Sequence, residues 1–185
     1  MFFHIEISIF AAMTATANLS IEEQCTALWK EVFGDEEEFI RSFMQNYHDS
    51  DNMLYIEENG RLLSMLHLIP FELEGREVGY IYAVATATDA RGRGLASQLI
   101  EEAIEKARKK GFAAVITLPA EETLHEFYSR FGFKGRYKAL FHTPDNFDFG
   151  TGDKEKDFVT VLELSQPSIF ADITTPLLLK TKRQA

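Results

Sequence analysis

Between residues 87 and 100 the chain reads ATDARGRGLASQLI, with arginine and glycine alternating at positions 91–94. The stretch joins an apolar run of strand character to the start of a helical period. A glycine turn that opens a helix leaves the first backbone N–H groups without intrahelical partners. With the positive end of the helix dipole, those donors form a site for an anion. Gly92 and Gly94 allow the backbone to approach a phosphate without an intervening Cβ. Arg91 and Arg93 add positive charge at the same place. The implied chemistry is the gripping of a phosphate-bearing ligand; for a glycine pair alone, an ordinary turn is the competing reading.

Two nucleotide-binding spellings can be tested against these residues. The P-loop requires GxxxxGK[ST], which nothing in the chain matches. The dinucleotide fingerprint is approximated by Gly92, Gly94 and Ser97, with Glu121 as the later acid. That motif belongs in a repeating parallel βαβ array, whereas here it follows a meander. Cys25 shares a helical stripe with Ile21, Leu28 and Val32, as a packed thiol would. A lone cysteine forms no internal disulfide, which fits a reducing, cytoplasmic setting. The one Cys and five His show no CxxC or HxxxH spacing, so no protein-built metal site is expected.

These groups need a scaffold. At 185 residues and 45% apolar, the chain suits one domain with a sizeable core. A net charge of −10 argues against a duplex-DNA binder and leaves room for a cationic substrate. No apolar run approaches a membrane span. Phe3, Ile5, Ile7 and Ile9 alternate with His4, Glu6 and Ser8, a strand period. Glu6 and the lack of an early Lys or Arg argue against a secretory signal.

Ser20 with Glu23 predicts a capping box for a helix that runs to Gly34, and Asp35 with Glu38 predicts a second. Asn59-Gly60 and Glu74-Gly75 punctuate three antiparallel strands. After the glycine turn, Leu95, Leu99, Ile100, Ala103, Ile104 and Ala107 keep a helical period that stops at Gly111. Residues 112–118 form a continuous apolar run, as in a strand buried on both faces. Strand, helix, strand makes a crossover, so 80–86 and 112–118 should be parallel. A helix ending at Gly132 and strands near 133–142 and 158–164 follow. The acidic loop between those strands reads as solvated. Residues 165–185 either cover a sheet edge or lie free.

The spelling Arg91-Gly92-Arg93-Gly94-Leu95-Ala96 resembles the R/Q-x-x-G-x-G/A signature of the GNAT acetyltransferases, in which this turn holds the pyrophosphate of acetyl-CoA. YIYAVATATDA resembles that family's fourth strand, and EFYSRFGF its second motif, usually F/L-Y-x-x-x-G-F. The element order agrees, and the resemblance covers roughly residues 1–164, leaving 165–185 as a tail. It implies an α/β (α+β) fold: a mixed, mostly antiparallel sheet, a β-meander followed by a βαβ crossover, and helices on both faces. Where the family often has Asn and Ala before the tyrosine, this chain has Glu121 and Leu124.

The resemblance further implies N-acetyl transfer from acetyl-CoA to a primary amine, without a metal. Val84, Ala85 and Thr86 would offer backbone groups to the pantetheine and thioester. Arg91, Gly92, Arg93, Gly94, Leu95, Ala96 and Ser97 would hold the pyrophosphate, with Arg130 and Lys134 as candidates for the 3′-phosphate. Tyr128 would protonate the departing thiolate. Taken alone, Tyr128 also fits an apolar stripe with Leu124, Phe127 and Phe131. Glu121, Glu122 and His125 lie near it, but none is singled out as a base. The acceptor, a small molecule or peptide, would dock against residues 29–47 and 143–157, and similar proteins are commonly dimers. A CoA-binding module without turnover is the alternative from another class; a nicotinamide-dependent oxidoreductase is the third.

Overall fold

The computed structural model describes residues 19–171 and 173–181; the strand predicted at 3–9 lies outside them. Helix α1 (Ile21–Phe33) begins with the capping box, Ser20 Oγ accepting from Glu23 N and Glu23 accepting from Ser20 N. It ends on Gly34 at φ +71°. Helix α2 (Glu37–Asn46) departs from expectation. Its N-cap is Glu36 and no side chain caps it, because Asp35 instead accepts the Trp29 indole N–H at 2.8 Å. A buried indole N–H needs a partner, whereas free helix donors at the surface can turn to water.

Strands β1 (Met53–Glu58), β2 (Arg61–Leu73) and β3 (Arg76–Thr86) form the antiparallel meander. Both turn residues of each hairpin are left-handed: Asn59 and Gly60, then Glu74 and Gly75. A short 3-10 turn at Thr88–Ala90 leads to helix α3 (Leu95–Lys110), which stops on Gly111. Strand β4 (Ala114–Thr117) returns parallel to β3, from Val78↔Ala114 to Ile81↔Thr117. Helix α4 (Glu122–Ser129) precedes β5 (Lys134–His142) and β6 (Phe158–Glu163).

Residues 177–181 form a further strand, β7 (Leu177–Thr181), parallel to β5 and antiparallel to the end of β2. The seven-stranded sheet runs β1-β2-β3-β4-β6-β5-β7, and the β2–β7 pairing closes six of the strands into a circuit. β7 thereby pairs an edge of β5 and the Phe71–Glu72 end of β2.

Sheet residues alternate between two apolar clusters. Ala114 and Ile116 face α1 and α2, with Cys25, Trp29, Ile40 and Phe43. Val115 faces α3 and α4, with Leu99, Ile100, Ala103 and Tyr128. The sheet thus carries helices on both faces, as expected. Cys25 is fully buried with its Sγ 3.1 Å from Met65 Sδ, and burial, helped by Glu22, pushes its pKa up to about 12. The acidic loop between β5 and β6 is less solvated than its composition implies: Phe147 and Phe149 are buried. They alternate with Asp148, so one side of the segment packs inward while the carboxylate stays exposed. No helix among the described residues is long and apolar enough to cross a membrane.

Candidate functional site

Strands β3 and β4 part company after four rungs. The ladder ends at Ile81↔Thr117, where the Thr117 hydroxyl donates to Ile81 O at 3.2 Å. Two features end it. Pro119 follows β4 closely and has no N–H to continue the ladder. On β3, pairing jumps from His67↔Tyr82 to Met65↔Ala85, so Ala83 and Val84 together oppose Leu66. This is a β-bulge, and Ala83 is left-handed at φ +51°. A non-glycine residue held there costs about 1–2 kcal/mol, and such strain gathers at functional sites. Tyr82, Ala85 and Thr86 keep their pairing to β2, and among the described residues nothing in 82–86 has a strand partner on the β4 side.

Where β3 ends, the glycine turn opens α3. Gly92 and Gly94 sit at φ +77° and +79°, and a Cβ on either would meet nothing within 4 Å. The requirement for glycine is therefore conformational, and the space beside the turn is free for a ligand. Gln98 N makes a backbone bond to Gly94 O at 3.0 Å. The N–H groups of Leu95, Ala96 and Ser97 precede it in the first turn, and Gly94 has no side chain to cap them. Such donors face outward along the helix axis.

A cavity of about 500 Å³ lies at this turn, lined by Val84, Thr86, Arg91, Gly92, Gly94, Leu95, Ala96 and Ser97 from the expected set. Ala85 and Arg93 are placed elsewhere. The Ala85 methyl is buried in the core, with its carbonyl accepting from Ser64 Oγ at 3.0 Å. Arg93 is paired with Glu58. Arg91 Nε donates to Thr86 O at 3.3 Å, which keeps that cation against the strand end. Arg130, stacked over the Phe127 ring at 4.7 Å, also lines the cavity, whereas Lys134 does not.

A second cavity, of about 450 Å³, fills the gap between the splayed strands. Its wall includes Tyr82, Ala83, Thr117 and Pro119, and beyond them Trp29, Phe33, Asp35, Phe149 and Thr151. Both segments expected to flank an acceptor contribute to it. The loop part is pinned: Asp157 Oδ1 accepts from Thr151 N at 2.8 Å and from Thr151 Oγ1 at 2.9 Å. The Tyr80 hydroxyl donates to Phe149 O at 3.1 Å. Three residues belong to both cavities: Val84, Leu124 and Tyr128.

Tyr128 therefore stands where the two spaces meet. It is 6% exposed, with its ring edge-on to Phe127 and Phe133. Burial raises its phenol pKa, offset in part by the Thr117 hydroxyl. Glu121, Glu122 and His125 line neither cavity; Glu122 is paired with Arg136 at 2.9 Å. The sequence reading did not include Tyr82, and it held Asp35 and Phe149 only within the segments expected to flank an acceptor, without singling either out. Asp35 carried a capping signature, Tyr82 lay in a strand, and Phe149 lay in a loop read as solvated. Leu124, where this chain departs from the usual motif, lies at the junction itself.

Residues 15–135 match a family model described as an acetyltransferase (GNAT) domain. The N-acetyltransferase YhbS of Escherichia coli K12 is 33% identical over 82 residues, 42% of this chain and 46% of that protein. An N-acetyltransferase of Methanocaldococcus jannaschii is 35% identical over 92 residues, 46% of this chain and 40% of the relative. The match thus spans about half the length of these relatives or less. In three dimensions, the chain resembles the crystal structure of Escherichia coli YhbS in complex with CoA, with a TM-score of 0.59 and 21% identity. That likeness covers 89% of this chain and 87% of the other. The family match covers well over half of the chain and includes the glycine turn and the tyrosine helix, so the protein belongs to the GNAT acetyltransferases.

Proposed function

We propose that this protein transfers the acetyl group of acetyl-CoA to a primary amine by direct attack on the thioester. The observation that carries the reading is Tyr128 at the junction of a phosphate-cradle cavity and an aromatic cavity. The CoA complex of the structural neighbour supports the choice of donor. The donor's pyrophosphate would lie on the first-turn N–H groups of α3, with Arg91 and Arg130 nearby. Its pantetheine arm would run along the unpaired edge of residues 82–86, with Val84 at the thioester end. That edge offers backbone groups without a β4 partner, which a ligand can satisfy.

The neutral amine forms the new C–N bond while the C–S bond breaks. Tyr128 gives its proton to the leaving sulfur, and the proton shed by the amine nitrogen restores the phenol through water. Acid and leaving group are reasonably matched, at about 10 for a phenol and 8.5 for a thiol. The burial that raises Tyr128 raises a thiolate in the same cavity too. Among the described residues no Ser or Cys nucleophile stands at the cavities' junction, and Cys25 is sealed in the core, so none of them offers a carrier for an acyl-enzyme there.

Tyr128→Phe tests the role. The ring still packs, and acetyl-CoA affinity measured by calorimetry should stay within about threefold, while kcat falls about 10²- to 10⁴-fold, the usual worth of a general acid. An unchanged kcat would remove Tyr128 from the chemistry. Saturable acetyl-CoA binding with no turnover across a broad amine panel would favour a binding module.

A further inference from the structure

The aromatic cavity has a charge pattern that acetyl transfer by itself does not demand. Among the described residues its wall holds Asp35 and no Lys, Arg or His. Asp35 Oδ2 takes the Trp29 N–H. Among the described residues Asp35 makes no ion pair, and its Oδ1 has no hydrogen-bond partner. The carboxylate is half-buried beside rings in close succession, Trp29 to Tyr82 at 5.6 Å and Tyr82 to Phe149 at 5.1 Å between centroids. Asp35 and Asp148 both act on Tyr82, adding to the burial that raises its phenol. A carboxylate without a counter-ion, set beside aromatic rings that line the same cavity, is suited to an organic cation.

That cation is not the attacking nitrogen. A carboxylate at ion-pair distance holds an ammonium in its charged form, and a charged ammonium has no lone pair for the thioester. We propose, resting on the acetyl-transfer reading, that the acceptor is a small diamine. One ammonium stays charged on Asp35, and its carbon chain lies against Trp29, Tyr82 and Phe149. The other nitrogen reaches the thioester beside Tyr128 as the free amine. The first charge helps the second nitrogen, because a like charge nearby lowers its pKa. The net charge of −10 draws such a dication toward the protein. An α-amino acid, by contrast, would bring its carboxylate to a wall with no cation.

The test compares matched acceptors at saturating acetyl-CoA: 1,4-diaminobutane and 1,5-diaminopentane against butylamine, pentylamine and 5-aminopentanoate. At least one diamine should have a kcat/KM about tenfold or more above its monoamine, the scale of a hydrogen bond to a charged group. The aminopentanoate should be the poorest. Asp35→Asn, which still offers an oxygen to Trp29, should erase most of the diamine advantage through KM rather than kcat. Equal use of diamine and monoamine by the unaltered protein overturns the assignment without any variant. So does an Asp35→Asn loss that is the same for both amine classes. Calorimetry with acetyl-CoA alone separates the failures. Donor binding without diamine preference removes only the acceptor assignment, whereas no donor binding removes the transfer reading beneath it.

Discussion

Gly94→Ala separates a phosphate cradle from a plain turn. Gly94 sits at φ +79°, ψ 8°, and an added Cβ meets nothing within 4 Å. Folding therefore bears only the left-handed cost of about 1–2 kcal/mol, less about 0.4–1 kcal/mol from the stiffer unfolded chain. The net loss of about 1 kcal/mol corresponds to a Tm lower by about 2–4 °C. Ligand binding should suffer more. A phosphate oxygen must come within about 3 Å of a backbone N–H, and a methyl carbon beside it claims about 3.5–4 Å. Losing one charge-assisted bond, about 1.5–3 kcal/mol, weakens acetyl-CoA binding about 10- to 150-fold. Gly111→Ala is the matched control. It sits at φ +74° with an equally open Cβ site, at the far end of the same 16-residue helix, about 24 Å away. It should lose the same Tm and leave the dissociation constant alone. Equal affinities in both variants and the parent protein would refute the cradle, and equal weakening in both would trace the effect to helix stability instead.

Two further expectations concern groups outside the site. Cys25, with its thiol raised to about 12 and fully buried, should resist iodoacetamide at pH 8 in the folded protein and react on unfolding in urea; native-state labelling at the unfolded rate would contradict this packing. His67 is 1% exposed, its Nδ1 has no hydrogen-bond partner among the described residues, and burial, with His48 adding, lowers its pKa to about 3. The unfolded chain gains a proton near pH 6.5 that the folded one refuses, so stability falls as pH drops from about 6.5 toward 3, by up to about 1.4 kcal/mol per pH unit. In urea titrations at pH 7 and pH 5, His67→Leu should shed about 2 kcal/mol of the parent's pH-dependent loss; an identical loss in both proteins would refute the assignment.

The features legible in the sequence are those settled within a few residues. The Ser20 capping box, the left-handed pairs at both hairpins, the Gly111 stop and the opening of α3 at Gly94 all depend on the local chain. Backbone hydrogen bonding and φ preference determine them whatever lies across the sheet. The parallel return of β4 followed from a topological rule of comparable reach. The acetyltransferase family was legible because its two motifs are themselves short.

Other features needed distant partners. Asp35 has a capping signature, yet it turns to Trp29 because the folded core leaves an indole N–H to satisfy. Phe149 lies in an acidic loop, but packing against Phe71, Tyr80 and Tyr82 buries it. The bulge at Ala83 arises from pairing against Leu66, and β7 finds its place only between β5 and β2. The joining of two cavities at Tyr128 is likewise a product of assembly. Local propensity sets which conformations a segment adopts, but which side chain meets which is decided when the chain closes on itself and every buried polar group must find a partner.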